Sequence, residues 1–164
     1  MEADDTKSAG RRKKIETLLE RLSATGAHVF LANIPRPTLL PRANANADRD
    51  ALAAEYVAAL DVEAAKYENV HVVDFAGEVE ALVDRGLTVE GELLTMAAYG
   101  GLFSTDGLHL TDVGYAYEAN LFLQAMNEVL ETDLPMVDLG PVFQEDEHSP
   151  HALLAQGIDS ACLP

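Results

Sequence analysis

His28-Val29-Phe30-Leu31-Ala32-Asn33-Ile34 is a short, nearly continuous apolar run, and its reading decides the fold. A strand with one wet face alternates apolar and polar residues, whereas a strand covered on both faces reads as an unbroken apolar stretch. Pro35, Pro37 and Pro41 follow at once and cannot donate to a ladder, so the strand stops there and an open loop runs to about Asp48. Val70-His-Val-Val-Asp74 is a second run of the same kind. Between them Leu52, Tyr56, Ala59, Leu60, Ala64 and Tyr67 fall on one helical stripe. Strand, helix and strand in this order form a βαβ unit, which implies parallel strands and an α/β class.

Outward from this unit, Ile15, Leu18, Leu19 and Leu22 are spaced as one face of a helix, which Gly26 is placed to end. Residues 1–12 are polar and read as a solvated lead-in. Phe75 to Arg85 is expected to be a short helix ending at Gly86, and Leu87 to Phe103 carries no decisive pattern. Further on, Thr111 or Asp112 is placed to cap a closing helix. One face of that helix carries Tyr115, Ala119, Phe122, Leu123, Met126 and Leu130; Asn120, Gln124, Asn127, Glu128 and Glu131 line the other. From Thr132 periodicity fades, and four prolines with the acidic run Glu145-Asp-Glu147 suggest an extended acidic tail over 132–164. The expected division is therefore a lead-in over 1–12, one domain over 13–131 and the tail.

The 164 residues suit a single domain, and 48% hydrophobic content is ample for a core. No apolar run approaches the roughly 20 residues that span a bilayer, so no transmembrane segment is expected. The first fourteen residues hold no apolar stretch of the secretory kind, which leaves the compartment open, with the cytoplasm as the default and export of a longer parent as the alternative. Cys162 stands alone, so neither an intramolecular disulfide nor a cysteine zinc site is expected. Net charge is −17, and residues 86–164 contain thirteen Asp and Glu with no Lys or Arg. Such a surface repels nucleic acid phosphates and anionic lipid.

The chemistry concentrates in Gly101-Leu-Phe-Ser-Thr-Asp106-Gly-Leu-His109-Leu-Thr-Asp-Val-Gly-Tyr115. A carboxylate and an imidazole stand three residues apart in a glycine-bearing loop that leads into a helix. Asp106-Gly107 is also an ordinary turn dipeptide, so the spacing alone is weak. The block Asp-Gly-Leu-His-Leu-Thr followed by Gly-Tyr closely resembles the last sequence block of the SGNH (GDSL-type) hydrolases, a family of lipases and esterases. The resemblance runs from about Ile15 to Glu131. It implies part of a flavodoxin-like, three-layer fold in which a short parallel sheet is flanked by helices. The two strands would correspond to strands 4 and 5 of the order 2-1-3-4-5. It further implies His109 as general base and Asp106 as the carboxylate that accepts its Nδ1 proton, with no metal or cofactor and an ester or lipid substrate.

The family's other blocks are not in this chain. Of Ser8, Ser23, Ser104, Ser149 and Ser160, none has the setting of a nucleophile, and there is no Gly-x-Asn-Asp sequence to supply oxyanion-hole donors. Each lost donor forfeits about 2.7–4 kcal/mol of transition-state stabilisation. The chain is therefore expected to be inactive alone, either as a truncated product or as one part of a split enzyme completed by another chain that carries the serine block. The competing expectation is a non-catalytic interaction protein that docks a partner, or a second copy of itself, through the unpaired edge of residues 29–34. Of the remaining histidines, His71 sits among apolar neighbours as a hydrogen-bonded structural residue and His28 opens the first strand. His148-Ser-Pro-His151 reads as part of a solvated tail.

Overall fold

The computed structural model describes residues 2–40, 46–96, 101–104 and 109–145. Those residues form a mixed α/β structure, with five α-helices, a parallel strand pair and a small antiparallel pair among them. Among the described residues, no helix is long and apolar enough to cross a membrane.

Helix α1 spans Glu2–Ser23 and so runs through most of the polar segment expected to be a lead-in. Alanine and long charged side chains favour a helix even without an apolar face. Arg11 and Arg12 also gain partners on the next helix, Glu55 and Glu63, each at 2.8 Å. The apolar stripe is narrower than its spacing suggests. Ile15 and Leu19 are buried, but Leu18 is 52% exposed because it stands off the line through Ile15, Leu19 and Leu22. The helix stops before Gly26, whose φ of +73° suits a residue without a β-carbon.

Strand β1 (Val29–Ala32) pairs in parallel with β2 (Val70–Val73), in the register Val29 to Val70 through Ala32 to Val73. Helix α2 (Ala47–Ala64) connects them, capped by the Asn46 side chain, which accepts from the Arg49 amide at 3.0 Å. Val29, Leu31, Val70 and Val72 pack with Ile15, Leu19, Tyr56, Ala59, Leu60 and Ala64 in one apolar cluster. One sheet face thus lies beneath α1 and α2. Glu63 enters this interface with its side chain almost enclosed, bound by Lys66 and Arg12. Hydrogen bonds from Lys66 and then Arg12 hold its carboxyl below the ordinary carboxylate value.

The second half is built from shorter pieces. Helix α3 (Phe75–Arg85) starts directly after β2, with the Asp74 carboxylate accepting from the Gly77 amide at 3.0 Å. Strands β3 (Leu87–Val89) and β4 (Glu92–Leu94) form a hairpin in the stretch that lacked a pattern. Its two turn residues, Glu90 and Gly91, both have positive φ, at 51° and 85°. That is the turn whose twist matches an antiparallel pair, although glutamate is not the usual residue for it.

Helix α4 (Asp112–Leu130) ends at Glu131 in the left-handed conformation, and the chain returns along it. Here the expected polar face is put to structural use. The Asn127 side chain bonds both the amide (2.7 Å) and the carbonyl (2.9 Å) of Leu134. Asn120 does the same for Val137 at 2.7 and 2.9 Å. Tyr115, expected on the buried face, is 49% exposed, because Val113 and Gly114 occupy the buried side of the first turn.

The segment expected to be wholly an extended tail contains helix α5 (Leu139–Glu145). Phe143 is 2% exposed and joins a second cluster with Leu82, Val89, Leu94, Leu102, Phe103 and Val113. Burial of this one aromatic ring gives the short helix its anchor. Residues 146–164, with His148, His151 and Cys162, lie outside the described residues.

Candidate functional site

The described parts of the Asp/His block, residues 101–104 and 109–111, run antiparallel as a short stem. Phe103 and Leu110 form an antiparallel bridge. The Ser104 amide donates to the His109 carbonyl at 2.8 Å, and the Thr111 amide donates to the Leu102 carbonyl at 3.0 Å. On the outer side the Leu102 amide donates to Thr95 at 2.9 Å, which ties the stem to the segment after β4. Leu102 and Phe103 are each 2% exposed, so apolar burial fixes the stem. His109 is exposed at the end of the returning stem, and Ser104 is half-buried opposite it. Asp106 lies outside the described residues, together with 105, 107 and 108.

Thr111 joins this stem to α4. Its backbone belongs to the stem, while its side-chain oxygen accepts from the Gly114 amide at 3.2 Å as the helix cap. The same hydroxyl lies 3.4 Å from both the Gly101 and Leu102 carbonyls, sharing its proton between them. Gly114 is where stem and helix meet most closely. A β-carbon there would stand 2.6 Å from the Leu102 carbonyl oxygen and 2.9 Å from Leu110 Cβ. The Thr-x-x-Gly spacing is therefore the local rule that sets His109 two residues ahead of a helix N-terminus.

The stem packs beside the carboxyl end of β2. Leu102, Leu110 and Gly114 share a small cavity with Phe75 and Val79, and Phe75 begins the helix that follows β2. In open α/β sheets, this is the end at which ligand sites collect. Asn33 and Asp74 form a polar link across the same ends. Asn33 is 5% exposed; its amide donates to Asp74 at 2.8 Å, and its oxygen accepts from the Ala76 amide at 2.6 Å. Asp74 thereby binds the strand next door as well as its own helix. A β-carbon at Gly77 would come within 2.3 Å of Asp74 Oδ2, so a larger residue there would have to displace the capping carboxylate. The sequence held a signal for this link: each apolar run ends in a residue able to bond a neighbouring backbone, Asn33 in one and Asp74 in the other.

A second polar group ties the first turn of α3 to α4. Tyr117 donates to the Glu78 carboxylate, Arg85 pairs with the same carboxylate, and the Arg85 guanidinium lies 3.1 Å from the Tyr117 oxygen. Burial, and then the bond to Glu78, push the Tyr117 hydroxyl above its ordinary value. The phenol stays protonated and serves as a donor. Glu78, Arg85 and Tyr117 are scattered in sequence and gave no motif to find. No group of three or more His, Cys, Asp or Glu side chains is close enough to hold a metal ion among the described residues. No family model matches the chain, and neither a curated protein nor a solved structure matches it.

Proposed function

We propose that the chain is the carboxyl-terminal portion of an SGNH/GDSL-type hydrolase, carrying the acid–base half of a serine ester or lipid hydrolase and inactive by itself. The observation that carries this reading is the position of His109. It leaves a buried, bridged stem two residues before the cap of α4, next to the end of β2 from which α3 departs. In this role His109 takes the proton of a serine hydroxyl during attack. Asp106 accepts the imidazole Nδ1 proton and stabilises the cation that forms. The serine and the oxyanion donors come from a complementary chain. The parallel pair then belongs to a larger flavodoxin-like sheet.

The test is reconstitution on short-chain nitrophenyl esters. The purified chain should turn over no faster than its His109→Ala variant. Mixed with a chain carrying the Gly-Asp-Ser and Gly-x-Asn-Asp blocks, it should become active, and His109→Ala should abolish that gain. Activity of the chain alone that Ser104→Ala removes would sink the proposal, as would a reconstituted activity indifferent to His109.

A second reading, a non-catalytic protein that docks a partner strand, has its own support. The Val29 amide donates to Asn69 at 2.8 Å and the Asn33 amide to Val73 at 3.2 Å. Odd-numbered β1 residues thus face β2, and the amides and carbonyls of Phe30 and Ala32 point to the opposite edge. Among the described residues β1 has no second neighbouring strand. Such an edge is a template for pairing, with another chain or with a second copy. Salt-dependent association weakened by Ala32→Pro, which removes an amide from the open edge, in a protein that reconstitutes no esterase, favours this reading over the first.

A further inference from the structure

At the amino end of the parallel pair, opposite to His109, two imidazoles meet. His28 Nδ1 and His71 Nε2 are 2.9 Å apart. Their ring centroids are 5.2 Å apart and their planes differ by 15°. The centroid separation exceeds the nitrogen–nitrogen distance by about one ring width. The rings therefore lie side by side, nitrogen toward nitrogen in nearly one plane, and not face over face. Phe30 packs against His71 with centroids 4.9 Å apart. Val29, Leu31, Val70 and Val72 face α1 and α2, so strand alternation puts His28, Phe30 and His71 on the other sheet face.

A contact of this kind holds one proton. One nitrogen donates and the other accepts, and a charge on the donor ring strengthens the bond. A second proton would set two N–H groups head to head and two cations side by side. A metal ion does not fit the gap either. Metal–nitrogen bonds of about 2.0–2.1 Å on that line require nitrogens about 4 Å apart.

We propose that His28 and His71 form a one-proton clasp that pins the amino end of β1 to β2 and opens when the second imidazole is protonated. Asn69, at the foot of β2, is neutral and holds the Ala27 carbonyl at 2.8 Å and the Ser23 carbonyl at 3.0 Å. The other charged groups on neighbouring elements are Arg21 near the end of α1, Glu68 beside β2, and Glu118 and Glu128 of α4, which packs on both strands. Glu63, Lys66, Arg12, Tyr56 and Tyr67 belong to the opposite face or its helices. Beyond burial, the charge that holds the His71 imidazole down is that of His28.

Burial and then the His28 charge hold the His71 imidazole below its ordinary value. Unfolded chains take up this proton near the usual imidazole value of about 6.5, before the folded protein does. Stability from this group is thus full above that value and is lost as pH falls toward the lower folded value.

The experiment follows the imidazole ring protons of the full chain by NMR, with denaturant midpoints measured from about pH 8 to about pH 5, across the imidazole value of about 6.5. In His28→Ala, the His71 titration should move upward and the acid-induced fall in midpoint should shrink. In the natural chain, Val29 and Leu31 amides should lose protection on acidification before those of α4. An unchanged His71 titration, or equal acid dependence in both proteins, overturns the clasp. If His28→Ala does not fold, His28→Gln gives the same two readings, because the amide removes the charge and keeps the bulk. None of these outcomes depends on whether His109 serves a hydrolase.

Discussion

The two halves of the molecule reach stability by different means. In the half around β1 and β2, long helices lay apolar stripes on a parallel pair, and side chains such as Leu19 and Leu60 are enclosed by repetition of a simple spacing. The half around α3, the hairpin, the stem and α5 has no long stripe to rely on. It uses single anchors and specific polar joints: Phe143, Thr111, Gly114, and the two asparagines of α4. A spacing tolerates variation among apolar residues, whereas a joint depends on one residue at one place.

The sharpest break of this contrast comes from truncating one enclosed side chain in each half. Phe143→Ala should cost about 3–5 kcal/mol, at or above the about 2–5 kcal/mol expected for Leu19→Ala. Chemical denaturation of both variants measures this. A Phe143→Ala loss below about 0.5 kcal/mol, the usual size for a surface substitution, would mean that α5 adds little to the second cluster.

Next in size are the joints at the stem. Gly114→Ala forces a β-carbon against the Leu102 carbonyl, and overpacking of this kind costs about 1–3 kcal/mol. Thr111→Ala removes the cap of α4 and should cost about 0.5–2 kcal/mol. Both should also broaden or shift the His109 ring signals in an NMR spectrum, since both loosen the stem that carries it. Full stability loss with an unmoved His109 signal would separate the helix start from the stem.

The smallest effect is a pH dependence. Burial raises the Glu118 carboxyl above its ordinary value. The folded protein therefore keeps this proton to higher pH than the unfolded chain does. Stability from Glu118 falls as pH rises through the unfolded value toward the folded one. Glu118→Gln should flatten the denaturation midpoint across that range and raise it at neutral pH relative to the natural chain. An unchanged or steeper acid limb in the variant would show that Glu118 is not enclosed in solution.

The same contrast governs what could be read in advance. The parallel pair, α2 and α3 were legible because apolar runs and stripes carry their burial on their face. Hairpin β3–β4 was not, because its turn uses Glu90-Gly91 where a stronger signal would be asparagine or aspartate before glycine. Helix α5 was not, because seven residues with one buried aromatic show no period. Asn120 and Asn127 looked like solvent-facing residues, since side-chain pairing with a distant backbone leaves no trace in spacing. Thr111 was legible as a cap, and the stem beneath His109 was not, because its bridge joins Phe103 and Leu110 without a strand pattern on either side. The Asp106–His109 pairing itself rests on the resemblance, since Asp106 is outside the described residues.

The asparagine pair has one further consequence, which concerns chain length. Asn120 and Asn127 are seven residues apart on a helix, a rise of about 10.5 Å. Leu134 and Val137, which they grip, are three residues apart on extended chain, a span of about 10 Å. The two measures agree, so α4 acts as a ruler for the strand-like segment that returns along it. Adding or removing one residue between Leu134 and Val137 would put the segment out of step by about 3.3 Å, and at most one asparagine could keep its grip. Natural or engineered changes of length should therefore be excluded from this stretch, although it is neither a helix nor a paired strand.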